Sequence, residues 1–380
     1  MTLTIHVDGE IYARQPHGGI SRVFDELLKA LHRRKDVEVH LHLPDGVDAG
    51  PRGLIVAGVH AIPSGKPFRG ERFFGDLFHA VRNYRTRRYW SRLSRGIFIS
   101  TYYTHPDGLV IPTLVLVHDM IYERYPQFFS RVKDARHVGD KARCTKQAAA
   151  LVTPSQSAMH DLVSIRGDDR RLTRVIPYAV SETFYRARDV RREEQIRVQF
   201  IGGHEYLLFS GARGGHKNFK GLLEAYAAAG LGDAIHLLAV GGGAPTGEEA
   251  MMIERLGIGN RVHFAGSLGD DDIVTVVQAA RAVVVPSFCE GYGFPLIEAM
   301  AAGRPVASST GGSLPEVGQD APVYFDPHVQ ASMVDALRVI VNVDDRDPRI
   351  ARGLAIAHAR TWDDVASDYI QLASRLPYDL

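Results

Sequence analysis

The stretch VVVPSFCEGYGFPLIEAMAAGRPV, residues 283–306, decides how the rest of the chain is read. It opens as a buried strand at Val283, Val284 and Val285 and breaks at Pro286. Glu290 then falls in a Gly-rich loop, and Glu298 falls just inside the helix that follows, with Pro295 near its start. An apolar run, a Gly/Pro loop and a proline-started helix make a strand-to-ligand-to-helix junction. Amides around Gly293, Phe294 and Leu296 then point at whatever sits above the strand; Pro295 has no N–H to offer. Such a helix start favours an anion, phosphate above all. A carboxylate on each side of that anion site suits a ligand whose hydroxyls flank a phosphate, which is the layout of a nucleotide sugar.

Glu290 and Glu298, with seven residues between them, resemble the E-x7-E motif of retaining glycosyltransferases of the GT-B fold, the GT4-like group. The whole phrase PSFCEGYGFPLIEAMAAGRPV is far more specific than two acids at a given spacing. The resemblance implies an α/β chain of two Rossmann-like doubly wound domains facing a cleft, with the C-terminal helix crossing back. It is dense over 206–327 and looser before 110.

Bulk properties agree with a chain of this kind. At 380 residues it is too long for one compact core and suggests two domains. With 45 basic and 44 acidic residues, no global charge draws it to nucleic acid or to a membrane. The N-terminal segment lacks the basic region and long apolar core of a signal peptide. No window approaches the ~20 apolar residues of a spanning helix. Cys144 and Cys289 lie far apart in sequence and read as reduced thiols of a cytoplasmic protein, which excludes a cysteine-based metal site.

Strands alternate with helical segments along the chain, the signature of parallel sheets with crossover helices. TLTIHVD (2–8), VEVHLHL (37–43), LIVAGV (54–59), GIFIST (96–101), TLVLVHD (113–119), ALVTPS (150–155) and RVIPYAV (174–180) are the strands of a first series. The charged stretch 180–205 reads as an irregular interdomain connection. A second series begins with YLLFSGA (206–212) and continues through IHLLAVGGG (235–243), RVHFAG (261–266), the 283–306 junction, PVASST (305–310) and PVYFDP (322–327). The expected division is 1–185, with 363–380 returning to it, as the acceptor-binding domain. Residues 186–362 then form the nucleotide-sugar-binding domain.

A nucleoside-diphosphate leaving group gathers negative charge as the glycosidic bond breaks, so it needs fixed cations and amide donors. In SGARGGHKNFKGLLEA, Arg213 and Lys217 stand between the end of a strand and the start of a helix. In the family, a basic residue and a following Lys-Asn pair embrace the diphosphate; Lys217 and Asn218 match that pattern. Ala212 fills the slot where the family often has arginine, and His216 stands where some relatives carry one. By the same resemblance Glu298 accepts from the ribose hydroxyls, Glu290 holds hydroxyls of the transferred sugar, and the base lies between the loops after Gly241 and Gly266. Gly18 and Gly19 resemble the family's first glycine loop, with Arg22 following on the helix. The resemblance further implies that His118 contacts the donor sugar and that Asp119 shapes the pocket, and Tyr102, Tyr103 and His105, just upstream, are expected to line the acceptor side. No metal cluster is visible: Asp270, Asp271 and Asp272 open a helix and read as first-turn acids.

The expected activity is that of a hexosyltransferase of the bacterial polysaccharide or lipopolysaccharide branch. It moves a hexose, with mannose favoured, from a GDP- or UDP-sugar to a glycan or lipid-linked glycan. No permanently bound cofactor and no metal are expected. The alternatives are a catalytically inactive glycan-binding partner subunit and a GT-B sugar-nucleotide epimerase or phosphorylase. From Lys66 to Arg95, nine Lys/Arg and two acidic residues interleave with aromatics, including Phe68, Phe73, Tyr84, Tyr89 and Trp90. This is either an ordinary helix with solvated arginines or a basic amphipathic surface for anionic lipid headgroups. The second reading makes the protein peripheral on the inner face of a membrane.

Overall fold

The computed structural model describes residues 2–15, 18–44, 47, 56–62, 84–130, 134–167 and 172–377. Its strands form two all-parallel sheets. The first holds β1 (Leu3–Asp8), β2 (Val37–Leu43), β3 (Gly58–Ala61), β4 (Ile97–Ser100), β5 (Thr113–Leu116), β6 (Ala150–Thr153) and β7 (Leu172–Val175) in the order 3-2-1-4-5-6-7. The second holds β8 (Glu205–Ser210), β9 (Ile235–Val240), β10 (Val262–Gly266), β11 (Ala282–Val285), β12 (Val306–Ser309) and β13 (Val323–Phe325) in the order 10-9-8-11-12-13. Strands such as IFIS, TLVL and AVVV are buried along their whole length because helices cover both faces. The strand order reverses between β1 and β4 and again between β8 and β11. Crevices open outside the carboxyl ends of strands at such reversals, and the 283–306 junction begins at one of them.

The strands of the first series end earlier than the sequence suggests. TLVLVHD is a strand only over Thr113–Leu116, so His118 and Asp119 lie beyond it, in the loop at the carboxyl edge. RVIPYAV is a strand only to Val175, which leaves Tyr178 on the path out of the first sheet. The third strand lies over Gly58–Ala61, two to four residues later than LIVAGV, and residues 51–55 are outside the described set.

The stretch expected to be irregular is largely a helix, Val190–Ile201. Asp189 caps it by accepting from the amides of Arg191 and Arg192, and Gly202 ends it in the left-handed conformation. Ile196 and Ile201 form its buried stripe, while buried Glu193 is matched by a bidentate pair with Arg188. Charge density hid the helix because the arginines and glutamates occupy its wet face.

The C-terminal helix Trp362–Ala373, begun by a capping box of Thr361 and Asp364, returns to the first sheet. Val365, Ala366, Tyr369 and Ala373 join the core that contains Phe24, Leu27 and Leu31 of the Gly19–His32 helix. Arg33 donates to Asp363 at 2.6 Å and Arg34 to Ser367 at 3.2 Å along the same seam. Among the described residues, no helix is long and apolar enough to cross a membrane.

Candidate active site

The β11 junction is built as its sequence demands. The chain leaves Val285, loops through Glu290, and enters the Phe294–Ala301 helix from Gly293, whose φ of 98° is left-handed. A side chain at Gly293 is excluded twice, by that conformation and by Leu314, whose Cδ2 lies 2.6 Å from where a Cβ would stand. Leu296 does not serve the anion site as expected. Its amide donates to the Gly293 carbonyl at 3.0 Å, leaving Gly293 and Phe294 as the amides at the mouth of the helix.

Both glutamates are buried and both meet a cation. Glu290, 8% exposed, takes two hydrogen bonds from the Lys217 ammonium at 2.7 and 2.9 Å and one from the Ser287 hydroxyl at 2.6 Å. Glu298, 5% exposed, accepts from Arg22 of the first sheet's leading helix at 2.5 Å. In sequence Arg22 only follows the glycine loop; its position one turn into that helix is the signal for its role. The pair joins residues from the two sheets across the cleft. Gly19, the first residue of that helix, lies against the Phe294 ring, where a Cβ would sit at an ordinary 3.6 Å.

The opposite wall is the loop after β5. Gly291 is pressed against it so closely that a Cβ would lie 2.1 Å from the His118 carbonyl oxygen and 2.8 Å from Asp119 Cβ. Ser155 donates to the Gly291 carbonyl at 2.8 Å, and Glu316 accepts from the amides of Gln156 and Ser157. His118 is 7% exposed; its Nδ1 lies 2.7 Å from the Tyr178 hydroxyl and its amide donates to Tyr103. Burial holds its pKa down to about 4 despite the opposing pull of Asp119, so the ring is neutral near pH 7. Burial raises the Asp119 carboxyl, but the nearby Lys141 ammonium and the Ile121 amide outweigh it and the net shift is downward. Lys141 itself is fully buried, donating to the Asp119 carbonyl and to Glu123, both at 3.1 Å. Nothing in the local sequence marks Lys141 or Tyr178, because each acts on a residue distant along the chain.

Arg213 is placed differently from the expectation. Its side chain is 4% exposed and donates to Glu249 and to the carbonyls of Gly241, Gly242, Gly243 and Ala244. Those five bonds match the five N–H groups of a guanidinium, so none remains for a phosphate. The structure therefore makes Arg213 a clamp on the loop after β9, beside the ring of Phe264 at 4.9 Å. Gly241 in turn donates to the Gly266 carbonyl at 2.6 Å, which brings together the two loops expected to hold the base. Asn218 adopts a left-handed backbone, is 8% exposed, and donates its amide to the Pro327 carbonyl at 3.3 Å. It ends the turn that carries Lys217.

Tyr102 and Tyr103 lie with His137 in one aromatic group, ring centres 5.3 and 5.4 Å from the imidazole, and Arg14 sits over Tyr102. Phe128 stacks on Phe288 across the cleft, and Phe129 on His216. His105 is turned to Thr113 at 3.4 Å. Among the described residues, no cluster of His, Cys, Asp or Glu could hold a metal ion. Asp271 and Asp272 pair instead with Arg186 and Arg192.

Two family models match the chain: Glycosyltransferase Family 4 over residues 17–184 and Glycosyl transferases group 1 over residues 191–352. The O-antigen chain mannosyltransferase B of Escherichia coli is 33% identical over 169 residues, 43% of this chain and 44% of that protein. A D-inositol 3-phosphate glycosyltransferase of Nocardia farcinica is 31% identical over 252 residues, 62% and 54%. The chain spans about half the length of the curated relatives it matches. Among solved structures, sucrose-phosphate synthase from Thermosynechococcus elongatus superposes with a TM-score of 0.73 at 18% identity, over 98% of each chain. HepE from Anabaena, solved with UDP and glucose, gives 0.72 at 19% identity, over 98% of this chain and 100% of that one. Two parallel sheets, a shared cleft and two adjoining family matches lead to one conclusion: the chain belongs to the GT4-like group of GT-B-fold glycosyltransferases.

Proposed function

We propose that this protein is a retaining hexosyltransferase that moves a hexose from a nucleoside-diphosphate sugar to a glycan or lipid-linked glycan in polysaccharide assembly. The observation that carries the reading is the pair of buried glutamates, each held by a cation, on either side of the amide-bearing start of the Phe294–Ala301 helix. A diphosphate entering there meets Gly293 and Phe294 amides and draws the Lys217 ammonium toward its oxygens. Glu290 is then released to accept from sugar hydroxyls, and Glu298 to accept from ribose hydroxyls as Arg22 turns to the phosphates. Charge that grows on the leaving diphosphate is met by groups already in place. Neutral His118 contributes a hydrogen bond to the sugar rather than a charge, and Asp119 shapes that side of the pocket.

In this reading residues 1–185 with 363–380 receive the acceptor and 186–362 hold the donor. Mannose from a GDP-sugar is favoured by the mannosyltransferase relatives; the UDP complex of HepE keeps UDP-sugars as the second choice. Arg85, Arg87, Arg88, Arg92 and Arg95 are exposed beside Tyr84, which is 63% exposed, and we place this face against an anionic membrane surface. Residues 66–83 of that basic stretch lie outside the described set. Co-sedimentation with vesicles of anionic and of neutral lipid tests the placement, and equal binding to both rejects it.

The deciding experiment is calorimetric titration of UDP, GDP, ADP and NAD into the wild type, Lys217→Ala and Glu298→Ala, without added metal. One nucleoside diphosphate is expected to bind, with affinity reduced about tenfold to a hundredfold in each variant, the worth of a charged hydrogen bond. Unchanged affinity and donor turnover in both variants defeats the assignment.

A further inference from the structure

Tyr178 stands where the chain leaves the first sheet, 3% exposed, and it touches parts of the molecule far apart in sequence. Its ring stacks on Phe294 with centres 5.3 Å apart and planes 8° from parallel. Tyr292 meets it edge-on at 4.9 Å, and Trp362 of the returning helix lies on it at 6.3 Å. Tyr292 also donates its hydroxyl to the Tyr178 carbonyl. The Tyr178 hydroxyl lies 2.7 Å from His118 Nδ1. The residue thus connects the β5 loop, the glutamate loop and the C-terminal helix.

A count of hydrogens settles the direction of that bond. The enclosed phenol has one hydrogen, and its one polar partner among the described residues is His118 Nδ1. His118 Nε2 is enclosed with no partner among the described residues. If Nδ1 accepts, the neutral imidazole carries its proton on Nε2, and one buried donor is left unmet. If Nδ1 donates, both the phenol hydrogen and the Nε2 lone pair are left unmet. Each unmet buried group is unfavourable, so the first arrangement wins.

We propose that Tyr178 is a positioning residue that holds His118 as its Nε2–H tautomer and ties the ring's orientation to the Tyr292–Phe294 loop. Nε2–H, enclosed in this structure, then needs an acceptor, and the one we assign is an oxygen of the donor sugar, which reaches it once donor binding rearranges the cleft. This last step rests on the glycosyltransferase reading; the tautomer does not. Because Tyr178 packs on Phe294, movement of the nucleotide-binding helix start reaches His118 through one rigid ring.

The test uses the full chain labelled with 15N-histidine. Long-range proton–nitrogen correlation reads the tautomer, and the His118→Gln spectrum identifies the His118 signals. The wild type is expected to show Nε2–H alone, and Tyr178→Phe a mixture of tautomers. With the nucleotide sugar that calorimetry selects, Tyr178→Phe is expected to lower kcat about tenfold with donor KM nearly unchanged, the size of one lost hydrogen bond. A wild-type His118 protonated on Nδ1, or a Tyr178→Phe spectrum identical to wild type, overturns the proposal. Should the variant not fold, the wild-type spectrum decides the tautomer alone. Failure of every nucleotide to bind the wild type would remove the glycosyltransferase reading while leaving the tautomer result in force.

Discussion

Replacing Arg213 with methionine separates a structural clamp from a phosphate ligand. The variant keeps much of the buried volume but removes five hydrogen bonds and the partner of Glu249, whose side chain is 5% exposed. Breaking a buried ion pair from one side costs about 3–5 kcal/mol, because the remaining charge stays buried. Two features move the expected value to the lower end. Glu249 still accepts from the Thr246 amide at 2.7 Å, and the freed carbonyls of 242–244 lie near water. A loss of about 3 kcal/mol corresponds to a melting temperature about 6–12 °C lower for a domain of this size. Scanning calorimetry of the full chain reads this shift. Arg213→Met combined with Glu249→Gln is expected to recover part of it, since the unpaired carboxylate is gone. Nucleotide affinity is expected to fall only as far as the loosened 241–244 loop contributes. An unchanged melting temperature with a large loss of nucleotide affinity would refute the reasoning and return Arg213 to the diphosphate.

Other outcomes follow from the same geometry. His6 and His42, hydrogen-bonded at 2.9 Å beside His40 and His60, are held to about 4 and about 3, in each case chiefly by burial and then by neighbouring histidines. The unfolded chain therefore binds more protons below about pH 6.5. Stability is full above that pH and falls by up to about 1.4 kcal/mol per unit per histidine toward pH 4. Urea unfolding at a series of pH values reads the slope, which His42→Gln is expected to reduce. Gly291→Ala must push the two cleft walls apart by about 1 Å to reach normal contact, and a displacement of that size lowers kcat about a hundredfold. Steady-state kinetics at wild-type donor affinity checks it. Arg33→Ala removes a pair whose partners are 51% and 59% exposed, and the change in stability by urea titration is expected to stay below about 1 kcal/mol.

How much of this was legible beforehand varied with the range of the interaction. The β11 junction, the alternation of strands and helices and the final helix follow from runs of about ten residues, where apolar period and punctuation by Gly and Pro are local signals. The Val190–Ile201 helix is hidden in the sequence because its apolar stripe is narrow and its other faces are charged. The sequence offers Leu296 for an amide that its own helical turn already uses, and it offers Arg213 through the resemblance to the basic residue of the family's glycine loop, which says nothing of what the side chain reaches.

The sequence by itself determined that two glutamates would flank an anion-favouring helix start at a strand end, since strand, loop and helix start are adjacent in the chain. Only the tertiary structure decided which groups meet those glutamates and what holds the facing histidine. Arg22 reaches Glu298 across 276 residues, Lys217 reaches Glu290 across 73, and Tyr178 reaches His118 across 60. No local period or spacing encodes such meetings. They arise where the two sheets reverse their strand order and turn their carboxyl ends toward one cleft, and the packing of Gly291 on His118 and of the final helix on the first domain closes the distance.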